Sequence, residues 1–250
     1  MEATQPTVWL RAEAFRADLN TQVRIDDASS GAQGTAFAFE RLGMPKKKTL
    51  PALNLGARWS QRWRLELEYF TLDRTGRATL DENVRFDDQT FPVSAAVDSR
   101  LRSDVGRASL GYSFLHTPSL EMGVVAGVHV TRFEISMQSS VSVSGSSASV
   151  QRADKDATVP LPTVGTYGSW AFGPDWMLGW RADFFSLNHR GYDGRLLNGQ
   201  ANLVYRATPH LALGGGLRHV DYKLRADRGD IQGKVDYRFS GPQLFVEMGF

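Results

Sequence analysis

The sequence contains no cysteine among its 250 residues. It therefore has no disulfide framework, no thiolate metal site and no cysteine nucleophile, which excludes several classes of enzyme. The chain also lacks an excess of charge of one sign, because 29 basic and 27 acidic residues leave a net charge of +2. Such a balance gives no electrostatic argument for nucleic-acid binding, and we expect no nucleic-acid partner.

Long apolar runs are also missing. The mean hydropathy is -0.31, and no apolar run approaches the ~20 residues that a membrane-spanning helix needs. Residues 1–6 have neither the basic nor the apolar region of a signal peptide, so we expect either a cytoplasmic protein or a mature chain with an added start Met. Glycine (24 residues) and aromatic residues (11%) are plentiful, which favours strands and tight turns.

Apolar and polar residues alternate through most of the chain. Every second residue is apolar in 53–59, and the same holds in 63–69 after a short polar segment. Two alternating runs joined by a short turn are typical of an antiparallel hairpin. The unit recurs, with short turns near 60–62, 116–118, 173–175 and 208–210 and long polar connections near 26–49, 74–98, 138–157, 187–194 and 225–234.

Four short turns and two chain ends on the same side imply ten strands. We predict them over 8–25, 50–60, 62–73, 99–115, 119–137, 158–172, 176–186, 195–206, 210–224 and 235–250. Tight turns at one end and long loops at the other are typical of an outer-membrane barrel. The prediction is one all-β domain over 1–250, a transmembrane antiparallel up-and-down β-barrel. Residues 35–40 also alternate, as a strand extension or a segment folded over the barrel mouth, and they leave twelve strands as the alternative.

The polar face of the strands separates a membrane barrel from a soluble one, because alternation alone fits both. This face carries charges of both signs, as expected for a lumen packed with ion pairs. They are Arg11, Glu13, Arg58, Arg64, Glu66, Glu68, Arg107, Glu121, His129, Arg181, Asp183, Arg206, Arg218 and Glu247. We expect neighbouring strands to bring Arg58 and Arg107 near Glu66 and Glu68, and His129 to hydrogen-bond a lumen carboxylate.

Tryptophans cluster beside two of the short turns. Five of the six occur there: Trp59, Trp63, Trp170, Trp176 and Trp180. Tryptophan favours the headgroup level of a membrane, where one end of the ring is apolar and the other is hydrated. We therefore expect an aromatic girdle at this end of the barrel, and the alternative is the tryptophan core of a soluble sandwich.

The chain ends on an alternating strand in which Val246, Met248 and Phe250 share one face. This resembles the C-terminal insertion signal of Gram-negative outer-membrane β-barrel proteins, whose insertion machinery recognises a final Phe such as Phe250. The resemblance implies a monomer in the bacterial outer membrane, with both termini in the periplasm. Its partners would be membrane lipid, lipopolysaccharide and the insertion machinery. Lys46, Lys47 and Lys48 form either a solvated run or a site for lipopolysaccharide phosphates.

Catalytic residues are hard to assign. Omptin-type outer-membrane proteases also have ten strands and carry acidic residues and a histidine at the outer rim, where this chain has His189 and His219. The order here, His219-x-Asp221, reverses the Asp-x-His order of that family. Ser186 and His189 are three residues apart and would project to opposite faces of a strand, which argues against a serine hydrolase dyad. We therefore predict no catalytic residue, no metal site and no cofactor.

The sequence leaves three functional hypotheses open. The first is a narrow, charge-lined, porin-like channel for small solutes. The second is a structural or surface-interaction barrel that acts through its long outer loops. The third is an enzyme at the rim that hydrolyses lipid or peptide.

Overall fold

The computed structural model describes residues 7–141, 149–189, 192–226 and 232–250. Their elements are β1 (Val8–Asp26), β2 (Phe37–Ala38), a 3-10 helix (Phe39–Leu42), β3 (Lys47–Arg58), β4 (Trp63–Thr79), β5 (Val84–Phe86), β6 (Gln89–Phe91), β7 (Ala96–His116), β8 (Leu120–Val141), β9 (Ser149–Ala171), β10 (Trp176–His189), β11 (Tyr192–Thr208), β12 (Leu211–Ala226) and β13 (Gln232–Gly249). Within these ranges, no helix is long and apolar enough to cross a membrane.

Ten strands close an antiparallel up-and-down barrel, which confirms the predicted fold class. Each pairs with its neighbour along the chain, and β13 returns to β1. The two-residue strand β2 pairs with β1 at the edge of the same sheet, and β5 and β6 form a separate two-stranded sheet. Short turns at 59–62, 117–119, 172–175 and 209–210 define one half of the barrel, which we call the turn-side half. The opposite half is called the loop-side half.

Several strands extend further into the loop-side half than predicted. Strand β4 continues to Thr79 and β7 begins at Ala96, inside the predicted loop 74–98. Strands β8 and β9 likewise occupy much of 138–157, and β10 and β11 leave only two residues of 187–194 between them. The prediction ended each strand where its apolar face ended. These strands continue with a polar outer face, which a strand can have wherever that face meets water.

Large apolar side chains face outward in the turn-side half. On β4, Trp63, Leu65, Leu67 and Tyr69 are between 39% and 50% exposed. The same outward positions on other strands form a continuous band, which we call the apolar belt. It comprises Val8, Leu10, Leu53, Leu55, Leu65, Leu67, Leu110, Val124, Val128, Val164, Leu178, Phe184, Leu203, Leu213, Leu217, Leu244 and Val246. A closed barrel with an apolar outer band and a polar interior is suited to a lipid environment.

The side-chain pattern reverses in the loop-side half. Beyond Tyr69, the outward residues of β4 are polar, whereas Phe70 and Leu72 face inward and are buried. On β1, Asp18 is exposed on the outer wall and Leu19 is buried inside. The two-residue period continues through this change, so each face changes in composition but not in orientation. This half of the wall therefore resembles a water-soluble barrel, with an apolar interior and a polar exterior.

Aromatic and aliphatic side chains fill the loop-side interior, and we call them the outer core. Its largest members are Phe15, Leu19, Phe70, Leu72, Leu101, Phe133, Ile135, Met137, Tyr222, Tyr237 and Phe239. Rings of strands that are not neighbours touch across the interior: between centroids, Phe133 of β8 lies 6.3 Å from Tyr237 of β13, and Phe70 of β4 lies 6.2 Å from Phe239 of β13.

The segment 35–40 packs at the barrel mouth and contributes only the two-residue strand β2, so the barrel has ten strands and not twelve. Strand β2 pairs briefly with β1, and the 3-10 helix follows it with Phe39 and Leu42 buried in the outer core. The fully buried Arg74 holds this segment through Glu40 (2.7 Å) and Thr21 (3.0 Å). The barrel mouth is thus packed by the chain's own residues.

Candidate functional site

Three arginines and three carboxylates meet in the middle of the lumen, and we call them the central cluster. Its members are Glu66, Glu68, Arg107, Arg181, Asp183 and Arg218. Nη2 of Arg107 lies 2.7 Å from Glu68, and its Nη1 lies 2.8 Å from Asp183. Nη1 of Arg218 lies 2.5 Å from the other oxygen of Glu68. Glu68 and Arg107 pair in register on the neighbouring strands β4 and β7, whereas Arg218 of β12 and Asp183 of β10 reach them across the lumen.

The rest of the central cluster is centred on Arg181. Its guanidinium lies 2.8 Å from Asp183, also contacts Glu66, and donates to Ser109 Oγ at 2.9 Å. Asn198 adds a hydrogen bond of 2.9 Å to Asp183. Buried charges are costly unless they are paired and hydrogen-bonded. Because every member has an oppositely charged partner, the cluster can fill the lumen as an ionic core.

A second ionic group lies closer to the short turns. Arg58 Nη2 lies 2.7 Å from Glu121, which also accepts a hydrogen bond from Ser113 at 2.5 Å. The guanidinium of Arg64 stacks 3.3 Å from the ring centroid of Tyr167 and lies 3.2 Å from Glu66. The expected approach of Arg58 to Glu66 and Glu68 is wrong. Arg58 is the last residue of β3 and pairs in register with Arg64, so it lies nearer the turns than either glutamate.

The remaining predicted lumen residues also face inward. Arg11 lies 2.6 Å from Glu247, joining the first and last strands. Arg206 forms no ion pair within the described part of the chain. His129 is buried beside Arg107 in the ladder, but no hydrogen bond joins it to a carboxylate among the described residues. The nearby carboxylates of Glu68 and Asp183 form ion pairs with arginines instead, so the expected hydrogen bond from His129 to a lumen carboxylate is not found.

Comparisons with known proteins bear on the architecture. No protein-family model matches the chain, and no curated protein matches its sequence. Among solved structures, the chain is similar to the outer membrane protease OmpT from Escherichia coli, with a TM-score of 0.60 and 12% identity over 97% of this chain and 96% of that chain. The chain has the fold of a Gram-negative outer-membrane β-barrel.

Two further solved structures align with this chain at lower scores. One is Neisserial surface protein A (NspA), with a TM-score of 0.36 and 14% identity over 98% of this chain and 97% of that chain. The other is a Pseudomonas aeruginosa FadL homologue, with a TM-score of 0.42 and 11% identity over 99% of this chain and 90% of that chain. At such identities the likeness concerns the fold alone.

The barrel carries most of its tryptophans on the outer wall near the short turns. Trp59 and Trp63 stack with centroids 6.5 Å apart, and Trp176 packs 5.0 Å from Tyr205. Trp170 is likewise exposed there. Trp180 lies two outward positions beyond Trp176 on β10, where it packs against Gly168 on the neighbouring strand.

The rim residues do not assemble into a catalytic group. His219 and Asp221 both face outward from β12, away from the lumen, and Asp221 contacts Arg238 at 3.3 Å. The side chain of His189 lies outside the described residues. No group of three or more His, Asp or Glu residues in the described ranges could hold a metal ion.

One carboxylate of the barrel mouth has a strongly perturbed environment. Hydrogen bonds from the side chain of Ser29, then from that of Ser30, hold the pKa of Asp27 well below its usual range. Arg85 of β5 lies 3.4 Å from the same carboxylate. Asp27 thus remains ionised and tethers the segment after β1 to the inserted hairpin β5–β6.

Several uncharged lumen residues were missed by the sequence reasoning. Ser109, Ser113, Tyr167 and Asn198 each bond a charged residue or one of its partners. Their inward phase was readable from the alternation. Their hydrogen bonds to the charged residues could not be read from the sequence, because serine, tyrosine and asparagine are equally common on hydrated strand faces.

Proposed function

We propose that this protein spans the bacterial outer membrane through its apolar belt as a closed, monomeric barrel, and that it acts at the cell surface through its loop-side half. The observation that carries this proposal is the filling of the lumen at two successive levels. The central cluster occupies the middle, and the outer core occupies the loop-side interior. The structural or surface-interaction hypothesis is therefore favoured over the small-solute channel.

A passive channel would require a path through both levels. A cavity of about 150 Å³ in the turn-side lumen is lined by Arg64, Glu121 and Arg206 and reaches Arg107 and Arg181 of the central cluster. A solute moving further would have to separate buried ion pairs, and breaking one such pair costs about 3–5 kcal/mol. It would then meet the packed rings of the outer core.

Strand length supports a role outside the membrane. About 9–11 residues are enough for a tilted strand to cross a bilayer, whereas β8 has 22 residues and β9 has 23. The excess lies in the loop-side half, whose polar outer wall suits water. A barrel that only sealed its own lumen would have no need for this second, separately packed half.

Conductance is the first test. We expect refolded protein to run as a heat-modifiable band and to give no discrete conductance in planar bilayers. The boiled, unfolded sample serves as the control for leakage caused by detergent. Steady single-channel conductance from the folded band, absent after boiling, would overturn the proposal of a closed barrel.

Orientation can be tested by cysteine labelling, because the natural chain has no cysteine. Glu82 is exposed in a loop-side connection, and Ser60 is exposed in a short turn. We propose that the short turns and both termini lie in the periplasm. A membrane-impermeant maleimide should then label Glu82→Cys on intact cells, and Ser60→Cys only after permeabilisation. The reverse pattern would overturn this orientation.

The lipid and assembly partners belong to the same proposal. Lys47 pairs in register with Asp18, just beyond the belt, and this position supports lipopolysaccharide phosphates as the partners of Lys46 to Lys48. Phe250 is exposed on the outer wall beside β1, where insertion machinery could bind it. The protease activity of OmpT does not extend to this proposal, because His219 and Asp221 face away from the lumen.

A further inference from the structure

Neighbouring strands part at two places in the wall. Pairing of β3 with β4 ends at Ala52 and Phe70, and pairing of β9 with β10 ends at Val164 and Phe184. Both points lie where the apolar belt gives way to the polar outer wall. Beyond them, each strand continues with a partner on its other side only.

Prolines explain the parting of β9 and β10. Phe172 N donates to Trp176 O at 3.2 Å, so the even-numbered residues of β9 direct their hydrogen bonds toward β10. The same register would place Pro162 opposite Ser186 and Pro160 opposite Asn188. Proline has no N–H, so two successive ladder bonds cannot form.

Pro242 alone does not part β13 from β1. Pro242 of β13 occupies a hydrogen-bonding position toward β1, and pairing is lost only locally, since it resumes at Ser240 and Asp18. Pro51 of β3 likewise points toward β4 where those two strands part, so a proline lies at both partings. On β9, two successive prolines remove two ladder bonds.

The two openings differ in what occupies them. The chain's own segment after the 3-10 helix fills the first, where the backbone of Leu42 and Met44 packs closely on Gly76 of β4. Lys46 O also accepts a hydrogen bond of 2.7 Å from Leu19 N. Among the described residues, no segment pairs with the free edges of β9 and β10.

The opening between β9 and β10 is lined by apolar side chains. Leu161 is buried, and Phe185 packs against the outer core behind it. Leu187, two positions further along the same face of β10, is 48% exposed. Because Pro160 and Pro162 carry no N–H, the β9 edge of the opening presents no donor at those positions, and within the described part of the chain the only unpaired donors there are the N–H groups of Ser186 and Asn188 on the β10 edge.

A groove on the outer wall reaches this opening from below. It has a volume of about 730 Å³, and Ala126, Thr166 and Ala182 are among the small residues that line it. Val164 and Phe184, the last paired residues below the opening, also line it. The groove lies within the apolar belt, where the matching ligand is an acyl chain.

Two cations stand beside the opening on the outer wall. Ser186 of β10 pairs in register with Arg195, which pairs in turn with Lys223. Like charges directly opposite each other in a ladder repel. Asp236 stands in register with Lys223 on its other side but forms its ion pair with Lys234, at 2.8 Å. Within the described ranges neither Arg195 nor Lys223 has an ion-pair partner, so an anion placed between them would relieve this repulsion.

We propose that the opening between β9 and β10, with the groove below it, is a lateral binding site for a phosphorylated lipid of the outer leaflet. One acyl chain lies in the groove, its upper part contacts Leu187, and its phosphate binds Arg195 and Lys223. This inference rests on the proposed placement in the membrane. The orientation of such a lipid matches the groove, with its chain toward the belt and its headgroup toward the polar wall.

The test measures lipid retention after refolding into phosphatidylcholine vesicles that contain a minor fraction of phosphatidylglycerol. After mild detergent extraction, native mass spectrometry should find one phosphatidylglycerol on the wild-type barrel. In the double variant Arg195→Gln/Lys223→Gln, the fraction of barrels that retain phosphatidylglycerol should fall at least tenfold. Lys234→Gln/Arg238→Gln removes the same charge from the outer wall of β13 and should retain the lipid.

A second variant tests the acyl-chain part of the site. Ala182→Phe should fill the groove and reduce retention with the cations intact, whereas Ala12→Phe, on the outer wall of β1, should not. Excess inorganic phosphate should fail to displace the lipid, because the chain contributes to binding. Equal retention by wild type and the Arg195→Gln/Lys223→Gln variant, or complete displacement by phosphate, would overturn the inference.

The failure of this site can be separated from failure of the proposed function. A barrel that inserts as a heat-modifiable band but retains no phosphatidylglycerol overturns only the lateral site. A chain that does not insert overturns both.

Discussion

Glu68 holds two arginines that come from opposite parts of the barrel wall. Its two carboxylate oxygens accept from Arg107 at 2.7 Å and from Arg218 at 2.5 Å. Removing the charge of a shared partner leaves both guanidinium groups buried with incomplete neutralisation. We therefore expect the stability of the barrel to depend more on the charge of Glu68 than on that of the other carboxylates in the central cluster.

We expect Glu68→Gln to lower the free energy of unfolding by about 3–5 kcal/mol, as for other broken buried ion pairs. The measurement is urea unfolding of the protein in lipid vesicles. Glu134→Gln is the matched control, because Glu134 pairs with Arg132 on the exposed outer wall and such pairs contribute only about 0–1 kcal/mol. Similar losses in the two variants would mean that the central cluster is hydrated.

Val124 tests which face of the barrel meets lipid. It is 47% exposed on the outer wall, within the apolar belt. Val124→Leu should be tolerated, whereas Val124→Arg should lose about 2–4 kcal/mol of stability in vesicles. A neutral arginine variant would show that this face does not contact the bilayer.

Strand β4 shows how much of the fold could be read from the sequence. The alternation of Trp63 to Tyr69 predicts a strand, whether its apolar face meets lipid or a protein interior. The adjacent aromatics Tyr69 and Phe70 mark the exchange of apolar and polar faces, but the prediction assumed one apolar face along the whole strand. The reversal depends on where the membrane ends, and local periodicity contains no such information.

The partners in the central cluster lie beyond sequence reasoning for a different reason. The charges themselves were identified by their inward phase. Glu68 and Arg218, however, are 150 residues apart and meet only across the closed lumen. Which levels face each other depends on the stagger of the strands around the barrel, a property of the whole sheet.

Restoring two backbone donors should close the lateral opening. In Pro160→Val/Pro162→Val, β9 regains both N–H groups toward β10, so pairing should extend to Ser186 and Asn188. Hydrogen exchange should then slow at those two amides. Pro242→Val is the control, since it adds a donor at the same height in a different seam. Unchanged exchange at Ser186 would show that the prolines do not cause the parting.

The whole molecule combines two interiors of opposite character within one continuous wall. Arg218 joins them, because it bonds Glu68 on one side while its guanidinium lies 5.2 Å from the ring centroid of Phe70 on the other. The ionic interior lies behind the apolar belt, and the apolar interior lies behind the polar wall. In each half the interior is thus opposite in polarity to the outer surface, and the lumen is filled at two levels.

Because the lumen is filled at two levels, we expect a barrel that lacks one of them still to show no conductance. Replacing residues 30–45 with a Gly/Ser linker of equal length removes Phe37, Phe39, Leu42 and Met44 from the barrel mouth. The central cluster remains, so we expect a heat-modifiable band and no discrete conductance in planar bilayers. Wild-type protein is the control. Steady conductance from the linker variant would mean that ions pass the central cluster, and that the inserted segment alone closes the lumen.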